Sequence, residues 1–275
     1  MDITWWGFAA LAAAAALVGF SKTAVSGANT VSLAVFAAVL PARESTGVLL
    51  PILIFGDALA VLTYRRHAHW PTLWRLFPAV AAGVVVGTVF LFWADDAAVR
   101  TSIGAILLLM AGVTMWRRRG VKEATGTKDA SEAKEAGNSD GRDMSGPAES
   151  DDAGASAGGR LKARAYGVLG GFTTMVANAG GPVLSLYLLS AGFRKLGFLG
   201  TSAWFFLIVN TSKVPFSVGL GLIDARSLLL DAALVLFVLP GALIGKACVD
   251  RIDQRLFDRL VIAATVLGGL QLLLR

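Results

Sequence analysis

The chain has 275 residues, of which 55% are apolar and only 16% are charged, and its mean hydropathy is +0.66. Soluble domains typically contain about 25% charged residues, so the composition excludes an ordinary soluble protein and indicates an all-α integral membrane protein. The net charge of +6 comes from basic residues that lie between apolar segments, which predicts membrane topology and not nucleic-acid binding.

Two sets of apolar segments follow one another along the chain. The first set covers 3–20, 28–40, 47–63, 72–93 and 97–116, and the second covers 165–178, 182–193, 197–217, 227–247 and 257–274. Segments 28–40 and 182–193 are shorter than the roughly 20 residues that a spanning helix needs. Each of them either forms a short helix of its own or pairs with its predecessor in a hairpin that turns back inside the membrane. The N-terminal MDITWWGF lacks basic residues, so the first segment is expected to be retained and not cleaved as a signal peptide.

These segments predict three regions. Residues 1–119 and 161–275 are predicted transmembrane repeats of about five helical segments each, and residues 120–160 are a predicted cytoplasmic linker. The linker is rich in Gly, Ala, Ser and charged residues and has almost no large apolar residues, so it cannot bury enough surface to fold alone. We expect it to be disordered, with a regulatory arm as the alternative.

The two halves of the sequence resemble each other. Gly83 matches Gly241 at a spacing of 158 residues (241 − 83), and Asp57 matches Asn210 at a spacing of 153 (210 − 57). Near the start of each half, the pair Gly-Phe at 19–20 recurs at 171–172. Internal repeats with interrupted segments at corresponding positions indicate a transporter whose binding site lies between the repeats.

Lysine and arginine collect on one side of this topology. When each half is counted as five segments, the other side receives only Arg43, Arg100, Arg226 and Arg275. The positive-inside rule then places the basic side and the linker in the cytoplasm and both termini outside, in a multi-pass protein of the plasma (inner) membrane. The odd number of segments per half makes the two repeats inverted. The residues on the basic side are Arg65, Arg66, Arg75, Arg117, Arg118, Arg119, Arg160, Lys162, Arg164, Arg194, Lys195, Lys246, Arg251, Arg255 and Arg259.

The first interruption is GFSKTAVSG, residues 19–27. A cation inside the membrane is costly unless it is paired, so Lys22 marks a functional site by default. The alternative is a lysine that extends from a helix end toward water. Ser21, Thr23 and Ser26 supply hydroxyl groups beside the charge, and helix N-termini that follow such breaks attract anions. We therefore predict an anion site here.

The second interruption is GFTTMVANAGGP, residues 171–182. Asn178, Gly180, Gly181 and Pro182 suit an unwound turn that leads into a new helix with proline in its first turn. An ordinary helix–helix turn is the alternative. The occurrence of an interruption at corresponding positions in both halves favours a shared site near the middle of the membrane, built from broken or re-entrant helices.

Two further polar positions lie in apolar runs. Lys213 and Asn210 lie in WFFLIVNTSKVPF, and Asp57 lies in PILIFGDALAV at the position that matches Asn210. Asp57 with Lys22 and Lys213 leaves one net positive charge, which suits a monoanion or a partly neutralised dianion. Asp57 has two alternative roles, a salt-bridge partner of Lys22 or Lys213, or a proton carrier.

Catalytic and metal chemistry lack support in the sequence. His67 and His69 have no nearby carboxylate or cysteine and make a poor metal site, so YRRHAHWP is interpreted as an interfacial loop. No phosphate-binding GxxxxGK[ST] loop occurs. The single cysteine, Cys248, excludes an intramolecular disulfide and a cysteine-based metal cluster. We expect no catalytic residue, no cofactor and no nucleic-acid partner.

Several motifs resemble the sulfite exporter TauE/SafE family of membrane permeases. They are GFSKTAVSG, LPARESTGVLLPILIFGDALAVLTYRRHAHW, TTMVANAGGPVLSLYLL and GTSAWFFLIVNTSKVPF. The resemblance extends over nearly the whole chain apart from the linker. It implies ATP-independent transport of small sulfur-containing anions such as sulfite, sulfoacetate or other sulfonates, bound between the two repeats.

The expected function is export of such an anion by a secondary-active transporter, with Asp57 as a coupling group or ion-pair partner. An uptake permease for carboxylates or sulfonates is the nearest alternative, and a membrane enzyme that acts on lipid headgroups is an alternative of another class. The bilayer and the anion are the expected partners, together with a second copy in a homodimer. The predicted substrate-binding residues are Ser21, Lys22, Thr23, Ser26, Asn178, Gly180, Gly181, Asn210 and Lys213.

Overall fold

The computed structural model describes residues 4–23, 29–113, 157–193 and 195–248 and the isolated positions 115, 263, 266, 267, 270, 273 and 274. The α-helices in these ranges are α1 (Trp5–Thr23), α2 (Asn29–Val39), α3 (Ala42–Tyr64), α4 (Trp70–Trp93), α5 (Asp96–Val113), α6 (Ala157–Ala177), α7 (Gly180–Ser190), α8 (Lys195–Gly219) and α9 (Ala225–Cys248). A 3₁₀ turn, Arg65–His67, joins α3 to α4. The predicted linker lies outside the described residues except for 157–160, which begin α6, and so does most of the predicted segment 257–274.

The described helices have the character of membrane helices. Five of them, α1, α3, α4, α5 and α9, are long and apolar enough to cross a bilayer. Large apolar side chains are exposed on the outer faces of α4 and α9, among them Val86, Phe92, Leu229 and Leu236. Such continuous exposed apolar surface marks contact with lipid. The described ranges contain no strand, and the predicted fold class of an all-α integral membrane protein is confirmed.

Each half begins with a helical hairpin. In the first, the backbone N–H of Asn29 donates to Ser21 Oγ (3.1 Å) and Ser32 Oγ donates to the carbonyl of Ala14 (2.9 Å), so α1 and α2 run antiparallel. In the second, the Tyr166 and Tyr187 rings of α6 and α7 lie 6.0 Å apart. Helices α2 and α7 have 11 residues each. At 1.5 Å per residue they are roughly 16 Å long, too short to cross a bilayer core of about 30 Å.

The first interruption begins later than the sequence pattern indicates. Helix α1 continues through Lys22 to Thr23, and residues 24–28 lie outside the described ranges. Gly19 therefore lies inside the helix, and its role is to let α1 approach α9 closely. A Cβ atom at this position would overlap the carbonyl oxygen of Val238 on α9, so the missing side chain allows two helix backbones to touch.

Glycines join the two halves through two matching helix pairs. Helix α1 packs along α9, where Gly241 meets Ala16 and Gly245 meets Phe20, and the two helices run in the same direction. Helix α6 packs along α4 in the same manner, where Gly83 meets Val168. The first helix of each half therefore packs against the fourth helix of the other half.

Helices α3 and α8 meet in the centre and run antiparallel. Asp57 of α3 bonds to Asn210 of α8, and Gly200 near the start of α8 lies against the carbonyl of Tyr64 at the end of α3. At the opposite end, Gly47 of α3 lies against Leu222, just after α8. This antiparallel pair brings Asp57 and Asn210, the matching positions of the two halves, together inside the protein.

A capping box fixes the start of α9. The Asp224 carboxylate accepts from the backbone N–H of Ser227 (2.7 Å), and Ser227 Oγ accepts from the backbone N–H of Asp224 (2.9 Å). These hydrogen bonds, led by the one from the Ser227 backbone, hold the pKa of the exposed Asp224 below its ordinary value.

Candidate functional site

A cavity lies between the two halves, beside Lys22 and Asn29 of the first hairpin and Asn178 and Gly181 of the second. The centre of a water-sized sphere can occupy about 60 Å³ of it, and a single water needs about 10–15 Å³ by the same measure. The space therefore suits a few waters or one small oxyanion. Its wall consists of Ser21, Lys22, Asn29, Leu53, Asp57, Ala60, Thr174, Asn178, Gly181, Ser185, Leu199, Ser202, Ala203, Phe206 and Asn210.

Lys22 is the basic residue of this wall. Its ammonium lies 2.5 Å from Oδ1 of Asp57 and 4.4 Å from the ring centroid of Phe206. The Lys22 side chain keeps 11% of its surface exposed, whereas Asp57 is fully buried. Gly56 makes the close approach possible, because a Cβ atom there would lie 3.2 Å from Cγ of Lys22. The ammonium is thus held by a carboxylate and a ring while still facing the cavity.

Asn210 connects this ion pair to the second half of the chain. Its Nδ2 donates to Asp57 Oδ2 at 2.7 Å, and its Oδ1 accepts from Lys213 Nζ at 3.1 Å. The amide therefore orients the Asp57 carboxylate with one oxygen while the other oxygen faces Lys22. Asp57 thus lies at the nitrogen of the Asn210 amide, and Lys213 lies at its oxygen.

Lys213 is buried behind the cavity and has its hydrogen-bonding capacity filled. Its Nζ donates to the Thr174 carbonyl (2.7 Å), Asn178 Oδ1 (2.6 Å) and Asn210 Oδ1 (3.1 Å). An ammonium has three N–H donors, so these three oxygens satisfy it. Only 1% of the residue is exposed, and it does not belong to the cavity wall. Lys213 stabilises neighbouring segments and is not directed toward the space.

The second interruption is a two-residue break at Asn178 and Ala179. Asn178 adopts a positive φ of 51°, a conformation that asparagine tolerates better than most residues. The Ala179 N–H donates to the Thr173 carbonyl (3.1 Å), and Asn178 Nδ2 donates to the Thr46 carbonyl of α3 (2.9 Å). Together with the bond from Lys213, these contacts tie the break to both central helices.

Two helix N-termini face the cavity. Asn29 begins α2, Gly181 lies in the first turn of α7, and both residues line the wall. The free N–H groups and dipole of a helix N-terminus favour anions. The C-terminal ends of α1 and α6 lie in the same region and have the opposite polarity. Each is compensated by a lysine, because Lys22 lies in the last turn of α1 and Lys213 bonds to the Thr174 carbonyl near the end of α6.

Two wall atoms have unused hydrogen-bonding capacity. Ser202 Oγ and Asn29 Oδ1 are buried and have no hydrogen-bond partner among the described residues. Buried polar atoms are nearly always paired with protein, water or a ligand. These atoms therefore offer a hydroxyl group and an acceptor to a polar ligand in the cavity.

Most of the predicted site residues come together in this wall. Ser21, Lys22, Asn178, Gly181 and Asn210 line it together with Asp57. Three others lie outside it. Thr23 donates its hydroxyl to the Ala242 carbonyl (3.0 Å), Gly180 packs against Thr174, and Lys213 lies behind the wall. Ser26 lies outside the described residues.

The sequence pattern predicted Asn210 and Lys213 on α8 but not the other residues that share the helix face of Asn210. Leu199, Ser202, Ala203, Phe206 and Asn210 form one face of this helix toward the cavity. Residues three or four positions apart share a helix face, so counting backward from Asn210 in steps of four would have found Phe206 and Ser202. Asn29 was missed as well, because it follows the interruption and does not lie inside an apolar run.

The histidine loop has a structural role at the start of α4. The His69 backbone N–H donates to Thr201 Oγ1 (2.9 Å), and His69 Nδ1 lies 2.8 Å from Thr72 Oγ1. These bonds connect α4 to α8. Within the ranges that the structure describes, no three His, Cys, Asp or Glu side chains are close enough to hold a metal ion.

Apolar helices arranged around a cavity that contains a lysine and an aspartate define a multi-pass membrane protein. The chain belongs to the sulfite exporter TauE/SafE family of membrane transporters, since the sequence model of that family matches residues 11–272. The family resemblance of the sequence motifs is thereby confirmed. No curated protein and no solved structure matches the chain.

Proposed function

We propose that the protein is a secondary-active carrier that exports small sulfur-containing anions, such as sulfite, sulfoacetate or related sulfonates, through the cavity between its halves. The observation that carries the proposal is the Lys22 ammonium, which faces the cavity of about 60 Å³ between the two halves. A cation in a space of low dielectric attracts an anion far more strongly than it would in water.

The chemistry of the wall matches a sulfur oxyanion. A sulfite or sulfonate head presents three oxygens, and the wall offers the Lys22 ammonium, the Ser202 hydroxyl and the N-terminal ends of α2 and α7. Leu53, Leu199 and Phe206 form an apolar part of the same wall. This part suits the short carbon chain of a sulfonate and limits the access of bulk water.

The direction of the helices supports an arrangement of two inverted repeats. Helices α3 and α8 hold corresponding positions, Asp57 and Asn210, yet run antiparallel. Helix α4 is antiparallel to α3 because the short turn Arg65–His67 joins them. A carrier with inverted repeats can expose a central site to one side and then the other by exchanging the conformations of its halves. We accordingly propose a plasma-membrane location with both termini outside and the linker in the cytoplasm, as the positions of lysine and arginine indicate.

The proposal is tested by flux into and out of proteoliposomes. We expect the wild-type protein to transport sulfite and sulfoacetate, and Lys22→Met to abolish this transport. Loss of a charge-assisted hydrogen bond costs about 1.5–3 kcal/mol, or roughly 10- to 100-fold in affinity. Lys246→Met is the matched control, because Lys246 is an exposed lysine of α9 and its removal should leave flux unchanged.

A second variant separates lost binding from lost folding. Lys22→Met leaves the buried Asp57 without its partner, whereas the double variant Lys22→Met, Asp57→Asn leaves no unpaired charge. Both variants should fail to transport while the double variant elutes as folded protein. Undiminished sulfite flux in the folded double variant would contradict the proposed site, and wild-type transport of lipid or carboxylates alone would contradict the proposed substrate class.

A further inference from the structure

The cation of the cavity is already paired. Among the wall residues, Lys22 is the only basic side chain and Asp57 the only acidic one, and their Nζ and Oδ1 atoms lie 2.5 Å apart. An anion that enters the cavity therefore meets an ammonium whose nearest partner is a buried carboxylate. The incoming anion and Asp57 would lie side by side against one cation, and two like charges in a buried space repel each other strongly.

Lys213 does not relieve this conflict by contact. Its three N–H donors are engaged by uncharged oxygens, namely the Thr174 carbonyl, Asn178 Oδ1 and Asn210 Oδ1. It lies behind the wall and offers no donor to the anion. Direct pairing between the anion and the Lys22 ammonium therefore requires a change at Asp57, because its carboxylate already occupies that ammonium.

We propose that the anion and one proton occupy the site together, with the proton on Asp57 Oδ1 and the anion on Lys22. In the empty state, the ammonium and carboxylate neutralise each other. In the loaded state, a proton from the aqueous phase binds Oδ1, the carboxyl group becomes neutral, and the ammonium pairs with the anion instead. This inference rests on the proposed function and assigns its stoichiometry: one proton crosses with each anion, so export of a monoanion is electroneutral and is driven by the outward gradient of the anion itself.

The geometry of the site can hold both the proton and the anion. Oδ2 of Asp57 accepts from Asn210 Nδ2 at 2.7 Å in the ion-paired state, and this acceptor bond suits a protonated carboxyl equally well because the proton goes to the other oxygen. The neutral carboxyl then stays in position while Lys22 turns toward the cavity. The Lys22 ammonium has one anionic partner in each state, which is the Asp57 carboxylate in the empty site and the bound anion in the loaded site.

The charged groups that act on Asp57 are Lys22 from α1 and Lys213 from α8. The other helices packed against α3 are α2, α6 and α9. Helix α2 has no ionisable side chain. On α6, the described Arg164 and Tyr166 lie far before the break. On α9, Asp231 is buried without a hydrogen-bond partner among the described residues, and Lys246 is exposed. Asp57 is thus the ionisable group in contact with the cation of the cavity.

The sign of the pH dependence follows from linkage. If one proton binds with each anion, anion affinity rises as the pH falls and drops about tenfold per pH unit wherever the empty site is deprotonated. The probe must not titrate in the same range, so methanesulfonate is preferable to sulfite. Asp57→Asn mimics the protonated group and should remove the dependence.

The test is calorimetric binding of methanesulfonate to the purified full-length protein at several pH values, in buffers with different heats of ionisation. The dependence of the heat on the buffer counts the protons taken up. We expect about one proton per anion for the wild type and none for Asp57→Asn. We also expect Asp57→Asn to bind at least about tenfold more tightly than the wild type at high pH. Asp96→Asn is the control, because Asp96 is also paired with a basic residue, Arg100, but lies outside the cavity.

The outcomes separate the two proposals. Tighter binding by Asp57→Asn cannot result from damage to the fold, and it shows that Asp57 competes with the anion for Lys22. Proton uptake by the wild type that disappears in Asp57→Asn supports the inference. Wild-type binding with no proton uptake overturns the coupling and leaves the proposed function intact. A pH slope that persists in Asp57→Asn also overturns it. If the wild type binds neither methanesulfonate nor sulfite at any pH, the proposed function and the coupling both fall.

Discussion

The two halves of the molecule are built alike but use their lysines differently. Each half begins with a hairpin and packs its first helix against the fourth helix of the other half. In the first half the buried lysine, Lys22, lies on the hairpin helix and reaches α3. In the second half Lys213 lies on the central helix α8 and reaches the hairpin helix α6. The position that matches Lys213 in the first half is Ala60 (213 − 153), and the position that matches Lys22 in the second is Thr174.

This difference teaches how one residue type obtains two functions at non-matching positions of two similar halves. Both ammonium groups compensate the C-terminal end of a hairpin helix. Lys213 donates its three N–H groups to uncharged oxygens of the protein. Lys22 has a carboxylate and an aromatic ring as neighbours and remains partly exposed to the cavity. The first arrangement stabilises a break in the chain, and the second leaves a cation that a ligand can take over.

The largest effect should come from removing Lys213. Lys213→Met leaves the Thr174 carbonyl, Asn178 Oδ1 and Asn210 Oδ1 without their donor, and each buried acceptor that loses its partner costs about 1–3 kcal/mol. We expect a loss of at least about 3 kcal/mol in unfolding free energy, measured as a fall in the thermal unfolding midpoint in detergent. The double variant Lys22→Met, Asp57→Asn is the comparison and should lose much less. Equal losses of unfolding free energy in the two variants would contradict the structural role that we assign to Lys213 alone.

Two neighbouring glycines should separate binding from stability. A Cβ atom at Gly181 meets nothing within 4 Å and would project from the cavity wall, whereas one at Gly180 would lie 2.9 Å from Cβ of Thr174. Gly181→Ala should therefore weaken sulfonate binding by about tenfold with little change in unfolding, because an added methyl takes space from the ligand. Gly180→Ala should lower the unfolding midpoint instead. Calorimetric binding and thermal unfolding of both variants measure the contrast, and identical behaviour would argue against the cavity as the binding site.

The smallest effect should come from the Ser202 hydroxyl. Because Ser202 Oγ has no partner among the described residues, Ser202→Ala should not reduce stability. Loss of one hydrogen bond to the anion costs about 1 kcal/mol, or roughly fivefold in affinity. Thr201→Ala is the control, since Thr201 Oγ1 accepts from the His69 backbone and does not line the cavity. Unchanged affinity in Ser202→Ala would place the anion away from α8.

The sequence was sufficient for the fold class and for the family, because both depend on composition and on long ordered motifs. It also identified Lys22, Asp57 and Asn210, since charged or amide groups in apolar runs are easily seen. The choice between Lys22 and Lys213 as the partner of Asp57 was not available from the sequence. It depends on how the helices are rotated, and both lysines are far from Asp57 along the chain.

Other features depend on contacts that no local pattern encodes. The role of Gly19 as a contact point depends on α9, more than two hundred residues later. The place of Lys213 behind the wall depends on Asn178, whose side chain is available only because the chain breaks there with a positive φ. Only the tertiary fold brings Asn29 Oδ1 and Ser202 Oγ, which have no hydrogen-bond partner within the described ranges, to one cavity. In each case the tertiary neighbour, and not the residue type, decides the function.

The glycine contacts between α1 and α9 and between α4 and α6 have a consequence for motion. Because the backbones touch at these glycines, α1 cannot slide or tilt without carrying α9, and α6 cannot do so without carrying α4. In the proposed carrier, the bodies that rock against each other would therefore differ from the two sequence repeats. One body would combine the α1–α2 hairpin of the first repeat with α9 of the second, and the other would combine the α6–α7 hairpin with α4. The chain would then pass from one body to the other through the central helices α3 and α8.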